Sequence, residues 1–237
     1  MKTNSKEVIA KLSQDIFSIQ MKWSLWYMPI VLLIYFGSMF FPDVREANIG
    51  LMNFYYEPSK IYMLVIGIIF PLAMLSHFVR YGMTRKDYMI SSAIASVGIA
   101  FSLMIIAAIL SAILQLFETF SGANDVSFIE SQSSWLIPIV VLSLILICYN
   151  IAGWMIAMGF YRFGAWGGMG FVVIALVFIA LIDILWEREL SELATTYLPF
   201  SIPDLSIGWS IIGTAVLIGV GLTIIRRIMK RVRIKLE

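Results

Sequence analysis

One cysteine, Cys148, and one histidine, His77, are all this chain has of the side chains that most often hold metals or carry redox chemistry. A lone cysteine cannot close an internal disulfide, and with no C-x-x-C pair or Cys/His cluster no metal or redox framework can be read. Cys148 lies inside an apolar run and reads as a small buried side chain. No G-x-x-x-x-G-K-[ST] loop occurs, so the chain does not cradle ATP by that route. Charge is scarce: Asp, Glu, Lys and Arg make up 14% of the residues, where roughly 25% is ordinary for a soluble domain. The long apolar stretches hold no paired carboxylates, no His/Asp/Glu cluster and no Ser/His pair with a third partner. A proton-coupled carrier needs an ionisable residue at mid-depth. Ion-driven transport and intramembrane enzyme chemistry are therefore both disfavoured, and the chain is expected not to be an enzyme.

What the chain has is apolar surface. Its 237 residues are 60% hydrophobic, and the mean hydropathy is +0.91. A soluble domain of this size has no interior large enough to hide that much, so lipid must cover much of it. Six apolar runs stand out, at 23–41, 61–79, 89–117, 135–158, 166–182 and 207–225. A helical crossing takes about 20 residues, so each run is a span or close to one. The third is longer than a crossing needs and either tilts or begins as a short helix outside the lipid. The expected fold is an all-α integral membrane protein with six transmembrane helices over residues 23–225. No cleavable leader is read, because the first run follows more than twenty polar and amphipathic residues.

Basic residues orient the spans. Fourteen of the seventeen Lys and Arg fall in the N-terminal segment, the second and fourth gaps and the tail; the other three are Arg45, Lys60 and Arg188. The positive-inside rule then places both termini in the cytoplasm. Acidic residues such as Asp43, Glu46, Glu118 and Glu187 gather in the opposite gaps, in agreement.

Two polar features interrupt the pattern. The stretch RYGMTRKDYM, from Arg80 to Met89, sets a compact charged knot between the second and third runs. Gly82 can end one helix in the left-handed conformation. Thr84 and Asp87 match the [ST]-x-x-[DE] capping box that starts another, with Asp87 near the positive end of its dipole. A short cytoplasmic helix from Arg85 onward would feed the third span; the plainer alternative is a polar turn with basic anchors. The second feature is the first 22 residues, where Val8, Ile9, Leu12, Ile16 and Ile19 recur at helical spacing. They read as an amphipathic helix along the inner membrane surface, turning into the first span near Lys22 and Trp23. Trp23, Trp26 and Tyr27 fit an interfacial aromatic belt.

In their order these parts resemble the membrane subunit of an ATP-binding-cassette exporter of the ABC type-2 permease family. The resemblance covers the whole chain: an amphipathic N-terminal helix, six spans with both ends inside, a Gly-x-[ST]-Arg-[Lys/Arg] turn after the second span, and a longer outer segment before the sixth. The turn here is Gly82, Met83, Thr84, Arg85, Lys86, followed by Asp87 and Tyr88. The resemblance implies that this turn is a coupling helix seated in a groove of a separate ATPase subunit, with Thr84, Arg85, Lys86, Asp87 and Tyr88 making the contact. It further implies no cofactor in this chain, ATP and Mg held by the partner ATPase, a second permease subunit as dimer partner, and a multi-pass location in a bacterial cell membrane. The expected cargo is amphipathic: a peptide, a drug or a lipid-like molecule.

The remaining features are weaker signals. The segment ILWERELSELATTYLPFSIPD carries Glu187, Glu189, Leu190, Glu192 and Leu193 at helical spacing before Pro199 and Pro203, and reads either as a short outer amphipathic helix or as an acidic loop. Gly164, Gly167, Gly168 and Gly170 imitate a phosphate loop, but a following apolar run points to helix entry and close packing. His77, beside Ser76, and Asn150, beside Tyr149, are the polar groups expected to line a path or to bond between helices, the second use being favoured for both. The basic tail at 226–237 is read for anionic inner-leaflet lipid and not for nucleic acid. Two other classes stay open: a self-assembling membrane pore, which would work without an ATPase, and an immunity or scaffold membrane protein, for which the Thr84–Tyr88 turn would be dispensable.

Overall fold

In lipid a backbone has no water to bond, so long apolar stretches close their hydrogen bonds within themselves and become helices. The computed structural model describes residues 5–41, 50–80, 82–115, 136–186 and 206–230, and within them every regular element is a helix. We label these α1 (Ser5–Ser38), α2 (Leu51–Arg80), α3 (Arg85–Gln115), α4 (Leu136–Leu185) and α5 (Ile207–Lys230). All five are long and apolar enough to cross a membrane. Their outward surfaces agree: Trp26 is 79% exposed, Leu33 72% and Trp166 94%, side chains that water would not tolerate in such number. The chain is a multi-pass membrane protein.

The described part of each of the six apolar runs lies in one of these five helices, apart from a turn at 39–41 that ends the first, and the fourth and fifth runs share α4. That element has 50 residues, which as a straight helix would measure about 75 Å. It is not straight. Gly164 has φ 71° and ψ −163°, a conformation open essentially to glycine alone. The limbs on either side fold back on one another: the rings of Phe163 and Phe171 stack at 5.6 Å, although eight residues along one helix span about 12 Å. A Cβ at Gly159 would meet Phe171, and one at Gly168 would meet Phe160. Gly164 thus makes the break, and its neighbours make room for the aromatic side chains of the opposite limb.

The two polar features are the starts of long helices and not separate elements. α1 runs through Lys22 and Trp23 without interruption and contains Pro29. α3 runs from Arg85 into the apolar run as one element of 31 residues. The proposed outer helix around Glu187, Glu189, Leu190, Glu192 and Leu193, the tail beyond Lys230, and the run ends at 116–117 and 135 lie outside the described residues.

The described residues fall into two compact units, whose boundaries cut through α2, α3 and α4. The first takes in α1, α2 as far as Tyr62, α3 from Ile90 and α4 as far as Ser143. Here α1 lies parallel to α3: Ser91 donates its hydroxyl hydrogen to the Ile9 carbonyl at 3.1 Å, and Phe17 lies 3.0 Å from where a Gly98 Cβ would stand. Leu12 and Ile16 are buried, so much of the apolar face of the N-terminal segment is covered by protein. α2 runs antiparallel to α1, with Tyr35 meeting Phe54 edge-on at 5.2 Å.

The second unit holds the rest. In it α2 and α4 cross closely enough that a Cβ at Gly67 would strike the Asn150 carbonyl and one at Gly153 the Leu64 carbonyl. α5 lies antiparallel to the second limb of α4 and is tied to its end. Trp186 donates its indole N–H to Thr214 Oγ1 at 2.8 Å, and Ser210 donates to the Leu185 carbonyl at 2.9 Å. That carbonyl belongs to the last helical turn and has no partner further along the helix.

Candidate functional site

The polar knot is a joint between two helices, and its geometry follows from three residues. Gly82 has φ 80°, and the Met83 N–H reaches back to the Phe78 carbonyl at 3.2 Å. That six-to-one bond around a left-handed glycine is a Schellman termination of α2. Two residues later Thr84 opens α3. The Asp87 N–H donates to Thr84 Oγ1 at 3.1 Å, while the Thr84 hydroxyl donates to the Asp87 carboxylate at 2.7 Å. The Tyr88 N–H then makes the first bond of the helix, to the Thr84 carbonyl at 3.0 Å. The hydroxyl both accepts and donates, fixing the carboxylate over the positive end of α3.

Burial divides the five residues expected to meet an ATPase. Thr84 and Lys86 are exposed, Arg85 and Asp87 half-buried. Tyr88 has no exposed surface, and its ring lies 5.8 Å from that of Phe78. The knot therefore shows an outer edge of hydroxyl and cationic groups, while Tyr88 fastens it inward against the end of α2. Removing the cap should loosen this edge without unfolding the bundle. Thr84→Ala is expected to cost about 1 kcal/mol and to raise amide exchange at residues 85–88 roughly fivefold, with exchange in the middle of α3 unchanged; hydrogen exchange by mass spectrometry reads both.

The two other singled-out polar residues sit apart from this edge in character. His77 is exposed on the last turn of α2, its ring edge-on to Phe78 at 5.6 Å. Asn150 is buried, and its Nδ2 donates to the Met63 carbonyl at 3.1 Å, joining α4 to α2 at their crossing. Among the described residues there is no group of His, Cys, Asp and Glu that could hold a metal ion.

One polar set escaped the sequence reading. Ser24 and Tyr27 on α1 meet Tyr62 and Ser59 on α2, each pair of hydroxyl oxygens 2.9 Å apart. The signal was there in the spacing, since the α1 residues are three apart and Tyr55, Ser59 and Tyr62 follow at four and three. It was hidden because Tyr27 reads as part of an aromatic belt, and because Tyr55 and Ser59 precede the apolar run at 61–79 although α2 begins at Leu51. The chain matches no family model, no curated protein and no solved structure.

Proposed function

We propose that the chain is the permease subunit of an ATP-binding-cassette exporter of the type-2 family, moving an amphipathic cargo with energy supplied by a separate ATPase subunit. The observation that carries this reading is the capped turn from Gly82 to Asp87. It offers Thr84, Lys86 and half-buried Arg85 outward, and it is continuous with a helix of 31 residues. A displacement applied to that edge by a soluble partner passes into α3 with no joint in between. Tyr88 is then the anchor of the coupling segment, and Thr84, Arg85 and Lys86 are its contact surface.

Other features suit the same reading. Each limb of α4 counted as a crossing brings the total to six, and the antiparallel pairing of α1 with α2, of the limbs of α4 with one another and of α5 with the second limb fits alternate crossings. The basic residues then put the turn, the Gly164 hairpin and both termini on the cytoplasmic side of a bacterial cell membrane. Exposed Arg226, Arg227 and Lys230 at the end of α5 face anionic headgroups of the inner leaflet there. A second permease subunit, identical or similar, completes the cargo path, and ATP and Mg sit in the partner ATPase.

The test is purification of the tagged chain from its native host in mild detergent, wild type beside the Arg85→Glu, Lys86→Glu variant. An ABC-type ATPase should accompany the wild type in stoichiometric amount and fall at least tenfold in the variant, with the yield of the chain itself unchanged. Absence of such an ATPase from the wild type, or its equal retention by the variant, overturns the reading and brings the pore and scaffold classes forward.

A further inference from the structure

The contact between α1 and α2 holds more polar chemistry than the packing of two apolar helices requires. Gln20, Ser24 and Tyr27 recur at spacings of four and three along α1, and Tyr55, Ser59 and Tyr62 repeat them along α2, so each set lies on one side of its helix. The sets interlock. Ser24 and Tyr62 pair through their hydroxyls, as do Tyr27 and Ser59. The Tyr27 ring stacks on Tyr62 at 4.1 Å and meets Tyr55 at 5.8 Å. Ser24, Tyr55 and Ser59 have no exposed surface, and Gln20 retains only 2%.

Two atoms of these six side chains are unmatched: Gln20 Oε1, one helical turn before Ser24, and the Tyr55 hydroxyl are buried without a hydrogen-bond partner. Buried polar atoms in native folds are nearly always paired, and an orphan carries its whole desolvation penalty. A molecule that supplies the missing bonds recovers that penalty on binding, which a molecule without them cannot do. Gln20 Oε1 only accepts, so the molecule must donate. Ser24 and Ser59 also donate to the Gln20 and Tyr55 carbonyls at 3.1 and 2.7 Å, so the tyrosines donate in the two pairs. The four hydroxyls then have only lone pairs left to offer, which again calls for a donor.

Charge narrows the class. The six side chains are all uncharged, and the neighbouring ion pair on α2 is satisfied locally: Lys60 lies 2.9 Å from Glu57 and over the Tyr56 ring. An ammonium or phosphate entering the seam would lose its hydration and find no opposite charge on these six groups. We propose that the seam binds the uncharged, hydroxyl-bearing head of a neutral lipid, its alkyl chain lying against the exposed apolar face of α1 around Trp26, Ile30 and Leu33. As an account of cargo this rests on the permease reading; as a binding site it rests on the seam alone.

The experiment uses the purified full chain in nanodiscs, with no ATPase present, and radiolabelled 1-monolauroylglycerol as the probe. Binding to the wild type should be saturable, displaced by the unlabelled compound, and not displaced by its dimethyl ether or by dodecylammonium. In the Gln20→Leu, Tyr55→Phe variant affinity should fall at least tenfold while the melting temperature stays level or rises, because the orphaned atoms are gone. If that variant does not fold, Tyr55→Phe alone, which removes a single oxygen, should weaken binding severalfold. No saturable binding, equal binding to the folded variant, or displacement by the ether or the ammonium compound overturns the proposal. Such a failure leaves the ATPase co-purification result standing, and the reverse holds equally.

Discussion

Gly164→Ala is expected to destabilise the folded chain by about 3 kcal/mol, whereas Gly170→Ala, six residues on, should leave it level or stabilise it by about 0.5–1 kcal/mol. Both glycines lie in one cluster of α4, and both substitutions add one methyl group. At Gly170 nothing lies within 4 Å of the new Cβ, and the backbone is helical, so the only effect is the gain in helix propensity. At Gly164 the space is equally open, but φ is 71° and ψ −163°, and an L residue must either bear that strain or leave the conformation. Leaving it is no local adjustment. The Phe163–Phe171 stack and the packing of Phe171 against Gly159 and of Phe160 against Gly168 all depend on the limbs folding back. A straightened α4 would also run about 75 Å through a hydrocarbon layer of about 30 Å. Thermal melting of the two variants in the same detergent decides the matter. Equal melting temperatures would mean that the hairpin does not turn on Gly164.

How much of this was legible in the sequence depends on which force placed each residue. The helices were legible because hydropathy alone makes them: the greater part of each apolar run reappears in a helix, and lipid leaves the backbone no other partner. The start of α3 was legible because capping is local, and Thr84 and Asp87 need only each other to form it. Features that depend on a second helix were not. α2 begins at Leu51, before the apolar run, because Tyr55, Tyr56 and Ser59 are buried by tertiary contacts that a hydropathy window cannot register. The Gly164 cluster was legible as a place where helices meet, but not as the turn between two limbs of one element, since four glycines within seven residues do not say which takes the positive φ. Tyr88 sits among charged residues in sequence and yet points away from them, and only the ring of Phe78 reveals it.

The second large effect is expected where α2 crosses α4. Gly67→Ala and Gly153→Ala should each cost about 2 kcal/mol or more, and valine at either position should cost more than alanine, since overpacking a site that cannot give way costs roughly 1–3 kcal/mol and occasionally more. What the added carbon meets here is backbone. A Cβ at Gly67 strikes the Asn150 carbonyl, and one at Gly153 strikes the Leu64 carbonyl, so no side chain can rotate out of the way and the helices must part. Parting them also breaks the bond from Asn150 Nδ2 to the Met63 carbonyl, which fixes rotation and register at the same crossing. Because one separation relieves both clashes, the double variant should cost clearly less than the sum of the single variants, as expected for neighbouring sites that share one structural response. Gly37→Ala and Gly219→Ala, where nothing lies within 4 Å, are the matched controls and should be neutral or mildly stabilising. Melting curves of the four single variants and the double test this directly. Additive losses would mean that the two glycines relieve separate clashes, and losses no larger than those of the controls would mean that the helices do not touch. The crossing also bears on the Gly82 turn, which follows the far end of α2. A helix pinned to α4 through its backbone holds that turn in one place.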